Sequence, residues 1–356
     1  MRRDHLERLR PVCPTCRAVG RQALPLVLGT IVRSEPDDDV LEGVLVCPNQ
    51  ACQREHPIID GIAVVVPDLQ SWASHQLDAV LRRDDLSSFI QSLIGDAAGP
   101  GSVFNSERTN LSAYARTHWG DLDPAEPLPQ EASFVHLFDT ALDLLPEAPR
   151  GMWLDLGCSV GRGTLELARR TGGLAVGVDL SFAMLRVAER VRREGRAEFD
   201  VRRVGLVYDR CDLAVTQVPS EHLSFWCCDV GVLPFADGLF DGALSLNVVD
   251  CVASPLAHLM ELGRVLCGGA PALLSSPYDW SPNATPVAQW LGGHSQRSPQ
   301  HGSSSAELRR ALASIEHSLV IKQERDRAPW RVYVNERASM DYAVHLLHLE
   351  RSAATS

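Results

Sequence analysis

The chain has 356 residues, 45% hydrophobic and 22% charged, which is ordinary for a globular protein with room for one large domain and one small one. A formal net charge of −11 argues against a chain-wide nucleic-acid footprint, and no apolar run reaches the roughly 18 residues of a membrane helix. The opening MRRDHLERLRPVC has basic residues but no apolar core, so it does not read as a secretory signal, and a cytoplasmic location is expected.

The ten cysteines fall into two groups. Cys158, Cys211, Cys227, Cys228, Cys251 and Cys267 mostly sit in apolar surroundings and read as core packing. Cys13 and Cys16 in CPTC are followed about 30 residues later by Cys47 and Cys52 in CPNQAC. Two such knuckles can place four thiolates tetrahedrally around a zinc ion, and the aliphatic stretches between them, LPLVLGTIVRS and LEGVLVC, predict a hairpin. A unit this short buries little apolar surface, and a metal would supply the missing stability.

The stretch REHPIIDGIAVVVPD follows the second knuckle. With the four cysteines, it resembles the small zinc-ribbon family typified by the tRNA-methyltransferase activator subunit, over residues 11 to 68. That family carries a Tyr-Pro-Ile-x-Asp-Gly-Ile-Pro stretch; here His56 stands at the tyrosine and Ala63 at the last proline. His56 reads as a packing substitute rather than a metal ligand. The resemblance implies a zinc-ribbon domain over residues 1–68, with a closed structural site and a surface for a protein partner.

Residues 69–130 read as a helical and loop connection. WASHQLDAVLRRDDLSSFIQSLIG has helical spacing, AAGPGSVFNSERTN is a break, and LSAYARTHWGDLDP brings Tyr114, His118 and Trp119 within two turns. These residues cover a cofactor or simply pack.

The most informative stretch is RGMWLDLGCSVGRGTLELARR. Trp153 to Leu156 form a strand end, Gly157, Gly161 and Gly163 a turn, and Thr164 onward a helix whose first amides are free. Dinucleotide sites share this turn. Three further features separate the two: Asp155 two residues before the first glycine, a second strand LAVGVDLS ending in Asp179, and LSFWCCDVGVLPFADGLFDGALSLNVVD. Asp179 can accept both hydroxyls of a ribose. Together these segments resemble the class I S-adenosylmethionine-dependent methyltransferases. The resemblance implies cofactor contacts from Asp155, Gly157, Ser159, Gly161, Asp179, Leu180, Asp229, Val230 and Asn247, with Asp229 at the adenine amino group, Val230 at its ring and Asp155 near the amino-acid moiety. Ser159 departs from the family's usual middle glycine.

SPLAHLMELGRVLCGG reads as a helix capped by Ser254 and Gly268, with Leu256, Leu259, Leu262 and Leu266 as its buried stripe. A strand APALLSSP follows, then the aromatic loop holding Tyr278, Trp280 and Trp290. SSSAELRRALAS carries a capping box from Ser304 to Glu307, and the C-terminal region supplies two more strands. The expected architecture is therefore α/β: a seven-stranded Rossmann-like methyltransferase sheet over residues 131–356, with the small ribbon ahead of it.

DLGCSVGRGTLELAR, NVVDCVASPLAHL and SPYDWSPNATPVAQWLGG together resemble the mercaptohistidine N-methyltransferases of ovothiol biosynthesis, over residues 150 to 350. That resemblance implies a small-molecule acceptor, methylated at a nitrogen of an imidazole- or amine-containing metabolite. Asn247 can orient the nucleophile, and Asp250 can take its proton or pair with a cation, or both cap the turn. Tyr278, Trp280 and Trp290 can wall a substrate or pack against the sheet. Two other readings stay open: an RNA methyltransferase gripping RNA through the ribbon, and a non-catalytic subunit that binds a protein partner.

Overall fold

The computed structural model describes residues 1–36, 38–83, 86–129, 131, 133–316 and 319–352. Residue 130, where the connecting segment is expected to end, lies outside the described residues, as do the last four positions of the expected 131–356 domain.

Two short helices, α1 (Arg3–Leu9) and α2 (Pro14–Ala18), precede four antiparallel strands, β1 (Val27–Ser34), β2 (Val40–Val46), β3 (Glu55–Ile59) and β4 (Ile62–Val64). Three helices cross to the main sheet: α3 (Leu69–Leu81), α4 (Ser88–Ala98) and α5 (Val103–Trp119). Each starts on a side-chain cap, from Asp68, Ser87 and Ser102 in turn. Then come α6 (Phe134–Leu142), β5 (Trp153–Leu156), α7 (Arg162–Thr171), β6 (Ala175–Asp179) and α8 (Phe182–Glu194). A hairpin of β7 (Arg196–Val204) and β8 (Val207–Ala214) forms its own two-stranded sheet. The chain continues through β9 (Leu223–Cys227), β10 (Gly242–Leu246), α9 (Pro255–Val265), β11 (Pro271–Ser276) and α10 (Ser304–Ser314) to the long hairpin of β12 (Leu319–Asn335) and β13 (Ala338–Arg351).

Among the described residues the main sheet has eleven strands rather than seven, in the order β1-β2-β3-β4-β9-β6-β5-β10-β11-β13-β12. The seven from β9 to β12 correspond to the expected set. The other four join because β4 pairs in parallel with β9, Ala63 opposite Trp226 and Val64 opposite Cys227. An unpaired β9 would expose a row of backbone donors and acceptors at the sheet edge, and the short apolar β4 satisfies them. This is an α/β fold with a large mixed sheet.

Alternate residues of the strands enter two cores, one on each face. Leu154, Val176 and Leu274 join α9 and α10 through Leu259 and Leu308. Trp153, Ala175 and Leu273 join α6, α7 and α8 through Phe138, Leu165 and Leu185. Cys13, Cys16 and Leu45 belong to the first core, so the N-terminal unit is packed onto the sheet rather than hung from it. Its backbone is also tied to the loop after β9: the Val12 N–H donates to the Pro234 carbonyl at 2.7 Å, and the Arg17 guanidinium to the Leu233 carbonyl at 2.8 Å.

Two expected helix ends move. α9 begins on the Ser254 cap but closes at Leu266, and Leu256 is exposed while Leu259, Leu262 and Leu266 are buried. α10 is capped by Ser303, one residue earlier than expected. Among the described residues no helix is long and apolar enough to cross a membrane.

Candidate active site and metal centre

The strands of the parallel region end at one side of the sheet, and their carboxyl-terminal loops enclose a cavity of about 390 Å³. Asp155, Gly157, Ser159, Asp179, Leu180, Asp229, Val230 and Asn247, eight of the nine residues expected to hold a cofactor, line it. The ninth, Gly161, instead sits behind it as the start of α7. Its φ of 83° is left-handed, and a Cβ there would lie 2.6 Å from Ala188 Cβ.

The turn between β5 and α7 is held by its own hydrogen bonds. The Ser159 N–H donates to one oxygen of Asp179 and the Ser181 N–H to the other, both at 2.9 Å. Thr164 Oγ1 donates to Asp155 Oδ2 at 2.8 Å, and the Gly231 N–H to Asp229 Oδ1 at 2.8 Å. Gly157 has φ 70°, and a Cβ there would lie 2.5 Å from Val248, so backbone and cavity meet with no room for a side chain. Ser159, in place of the family's glycine, keeps the left-handed φ of 51°.

Burial pushes Asp155 up to about 7, and the neighbouring Asp179 adds to the shift; burial also raises Asp179 itself. Burial thus favours the protonated form of both carboxyls. No arginine or lysine stands among the described residues lining the cavity, so nothing there neutralises them.

The far side of the cavity departs from expectation. Asp250, Tyr278, Trp280 and Trp290 do not line it. Asp250 is buried, and its two oxygens accept from Ser276 Oγ at 3.1 Å and the Asp279 N–H at 2.7 Å, so it clamps the loop instead of facing a substrate. Tyr278 turns toward His345, its hydroxyl 2.7 Å from Nδ1, and lines a separate open recess with Glu324 and Arg309. Trp280 and Trp290 stack at 6.0 Å, and their indole N–H groups donate to Ser304 Oγ and the Thr285 carbonyl. Every polar group of the aromatic pair is satisfied inside the protein, so the loop acts as a brace. Only Ala284 of it reaches the cavity.

The wall facing the carboxylates comes from elsewhere. Asn110, Tyr114 and His118 lie four residues apart on one face of α5 and line the cavity, joined by Phe134 at the start of α6 and Trp330 of β12. His118 stacks on Phe134 at 4.1 Å with the planes 16° apart. Trp330 stacks on Tyr342 at 5.2 Å, and the Tyr342 hydroxyl donates to Asp279. Tyr114 and His118 are legible in the sequence as a cover; Trp330 is not, because nothing in β12 says which face of a long hairpin meets a cavity. Asn247 lines the cavity with φ 58°, its side-chain oxygen accepting from Ser275 Oγ at 2.8 Å.

Residues 154–274 match the family model for the methyltransferase domain. That stretch is about a third of the chain. Its relatives include ajmaline N-methyltransferase from Rauvolfia serpentina, 26% identical over 41% of this chain and 44% of that protein. Norajmaline N-methyltransferase from the same plant is 26% identical over 45% of this chain and 50% of the relative. The chain thus spans about half the length of the curated relatives it matches. Among solved structures, geranyl diphosphate C-methyltransferase from Streptomyces coelicolor aligns with a TM-score of 0.44 and 16% identity, over 71% of this chain and 99% of that one.

The second cluster lies in the N-terminal unit. The Cys13, Cys16, Cys47 and Cys52 sulfurs all lie within 4.8 Å of one another, Cys13 to Cys52 at 3.8 Å and Cys16 to Cys47 at 3.7 Å. Sulfurs about 2.3 Å from a zinc ion at tetrahedral corners stand about 3.8 Å apart, so the donor set fits that metal. His56, buried in β3, is not part of the cluster.

Proposed function

We propose that this protein is an S-adenosylmethionine-dependent methyltransferase acting on a nitrogen of a small amine- or imidazole-containing molecule. The cavity carries the reading: three strand-end loops converge there with Asp155, Asp179 and Asp229, opposite an aromatic wall from α5, α6 and β12.

S-adenosylmethionine supplies a methyl group on a positively charged sulfur. Asp179 offers acceptor lone pairs to ribose hydroxyls while the Ser159 and Ser181 amides hold it in place. Asp229 and Val230 take the adenine, and Asp155 balances the positive amino-acid end. Asn247 orients the nucleophile. Displacement at a methyl carbon needs alignment and exclusion of water more than proton chemistry, which suits a wall of rings. A cavity with three carboxylates and no cation suits a neutral or cationic acceptor rather than a nucleic-acid phosphate. The four cysteines hold a structural zinc ion that anchors the ribbon, and through Val12 and Arg17 the loop that follows Asp229.

The test offers labelled methyl donor to histidine derivatives, small amines, thiols and total RNA side by side. Label is expected in the amine or imidazole fraction, and label in RNA alone would overturn the reading. Elemental analysis is expected to find one zinc per chain.

A further inference from the structure

Two residues that line the cavity each hold a buried nitrogen with no hydrogen-bond partner among the described residues: the Trp330 indole N–H and His118 Nδ1. Trp330 is 8% exposed and His118 5%, and both line the cavity. Elsewhere in the molecule the tryptophan N–H groups are spoken for. Trp72, Trp119, Trp153, Trp226, Trp280 and Trp290 each donate to an oxygen. A buried donor left without an acceptor loses its hydration and gains nothing in return, so native proteins rarely keep one unless a ligand completes it.

The rest of that wall says what the ligand is like. Tyr114, Phe134, His118 and Trp330 present rings, and Val248, Val252, Ala253 and Ala284 fill the gaps with apolar surface. With no arginine or lysine among the described lining residues, an acceptor molecule bearing phosphate or carboxylate would find no counter-charge. Burial also holds His118 well below the usual histidine range, at about 3, so its ring is neutral and cannot repel a cationic amine.

We propose that Trp330 is the specificity-determining residue of the acceptor subsite, its indole N–H donating to a hydrogen-bond acceptor atom on a flat, ring-bearing amine packed between the α5–α6 wall and β12. The inference rests on the methyltransferase reading and gives it a substrate class. Trp330 also couples the subsite to the brace, since it stacks on Tyr342, whose hydroxyl bonds Asp279 beside the Asp250 clamp.

The test uses full-length protein labelled with ¹⁵N on tryptophan, saturated with S-adenosylhomocysteine, and the W330F variant, which keeps a ring against Tyr342 but lacks the N–H. The Trp330 indole signal is assigned by its loss in W330F. Histamine, 4-(2-aminoethyl)pyridine and ethanolamine are titrated in turn as probes. Saturable movement of that signal with histamine or 4-(2-aminoethyl)pyridine, and none with ethanolamine, is the expected result. W330F is expected to bind S-adenosylhomocysteine as tightly as the native chain but to bind the responding ring amine at least tenfold more weakly. No movement with either ring amine, equal movement with ethanolamine, or unchanged ring-amine affinity in W330F would overturn the proposal while leaving the methyltransferase reading intact. Failure of native protein to bind S-adenosylhomocysteine would overturn both.

Discussion

The two ends of the cavity are built differently. At the donor end Asp155, Asp179 and Asp229 each accept at least one hydrogen bond from their own turns, so the carboxylates are fixed before any ligand arrives. At the proposed acceptor end Trp330 and His118 hold buried nitrogens without partners among the described residues, and rings rather than hydrogen bonds make the wall. In our proposal the donor end, held by hydrogen bonds made within the protein, takes the invariant cofactor. The acceptor end is completed by what it binds, which is where specificity is set.

The largest effect should come from filling the donor turn. Gly157→Val puts a branched side chain at φ 70°, with its Cβ 2.5 Å from Val248. S-adenosylhomocysteine binding should vanish in calorimetry, with a stability loss of about 2–3 kcal/mol in denaturant titration. Binding retained within tenfold would show that the turn is not the cofactor floor.

Next is the ribbon. Because Val12 and Arg17 hold the carbonyls of Pro234 and Leu233, the cysteine cluster is tied to the loop that follows Asp229, at the proposed donor end. Cys16→Ser should cost the zinc and weaken S-adenosylhomocysteine binding by about tenfold, or about 1.4 kcal/mol. Metal loss without any change in cofactor affinity would uncouple the two.

Asp155 gives a pH signature of the donor end alone. Its folded carboxyl titrates at about 7, above its ordinary value of 3.8, so between those values the folded chain holds a proton that the unfolded chain has lost. This group therefore makes stability fall as pH rises through that window. A cationic donor favours the ionised form, so affinity for S-adenosylmethionine should rise with pH up to about 7 and then level, by no more than about tenfold per unit. Asp155→Asn should flatten both profiles, read by calorimetry and thermal unfolding at pH 5 and 8. A slope surviving in the variant would assign it to another group.

The smallest effect on function should come from the brace. Trp280→Ala removes the Trp290 stack and the Ser304 bond, and should cost roughly 2 kcal/mol of stability, below the value for a fully buried tryptophan. KM for the acceptor should stay within about twofold, because Trp280 does not line the cavity. A large rise in KM with stability unchanged would return the aromatic loop to the substrate wall.

The same contrast explains what was legible. The donor end lies in short contiguous motifs, each with its own strand, turn and acid, and so Asp155, Asp179 and Asp229 could be named from residue order. The proposed acceptor end is assembled from α5, α6 and, far along the chain, β12, and no local pattern marks Trp330. Tyr278, Trp280 and Trp290 misled because a cluster of rings after a strand end looks the same whether it faces a ligand or itself. Only the hydrogen bonds of their N–H and O–H groups decide the matter. The four extra strands were hidden for a similar reason: the ribbon's hairpin was readable, but the pairing of Val64 with Cys227 joins segments that no periodicity connects. The β7–β8 hairpin went unread, although the buried Ala197, Phe199 and Val201 alternate along β7.

The most direct measurement is calorimetric titration of S-adenosylhomocysteine into the native chain and into Asp179→Asn, whose side chain keeps the shape but loses one acceptor and the charge. The cavity described here predicts one site per chain in the native protein and at least a hundredfold weaker binding, about 2.7 kcal/mol, in the variant. Equal binding by both, or no binding by the native chain, would contradict it.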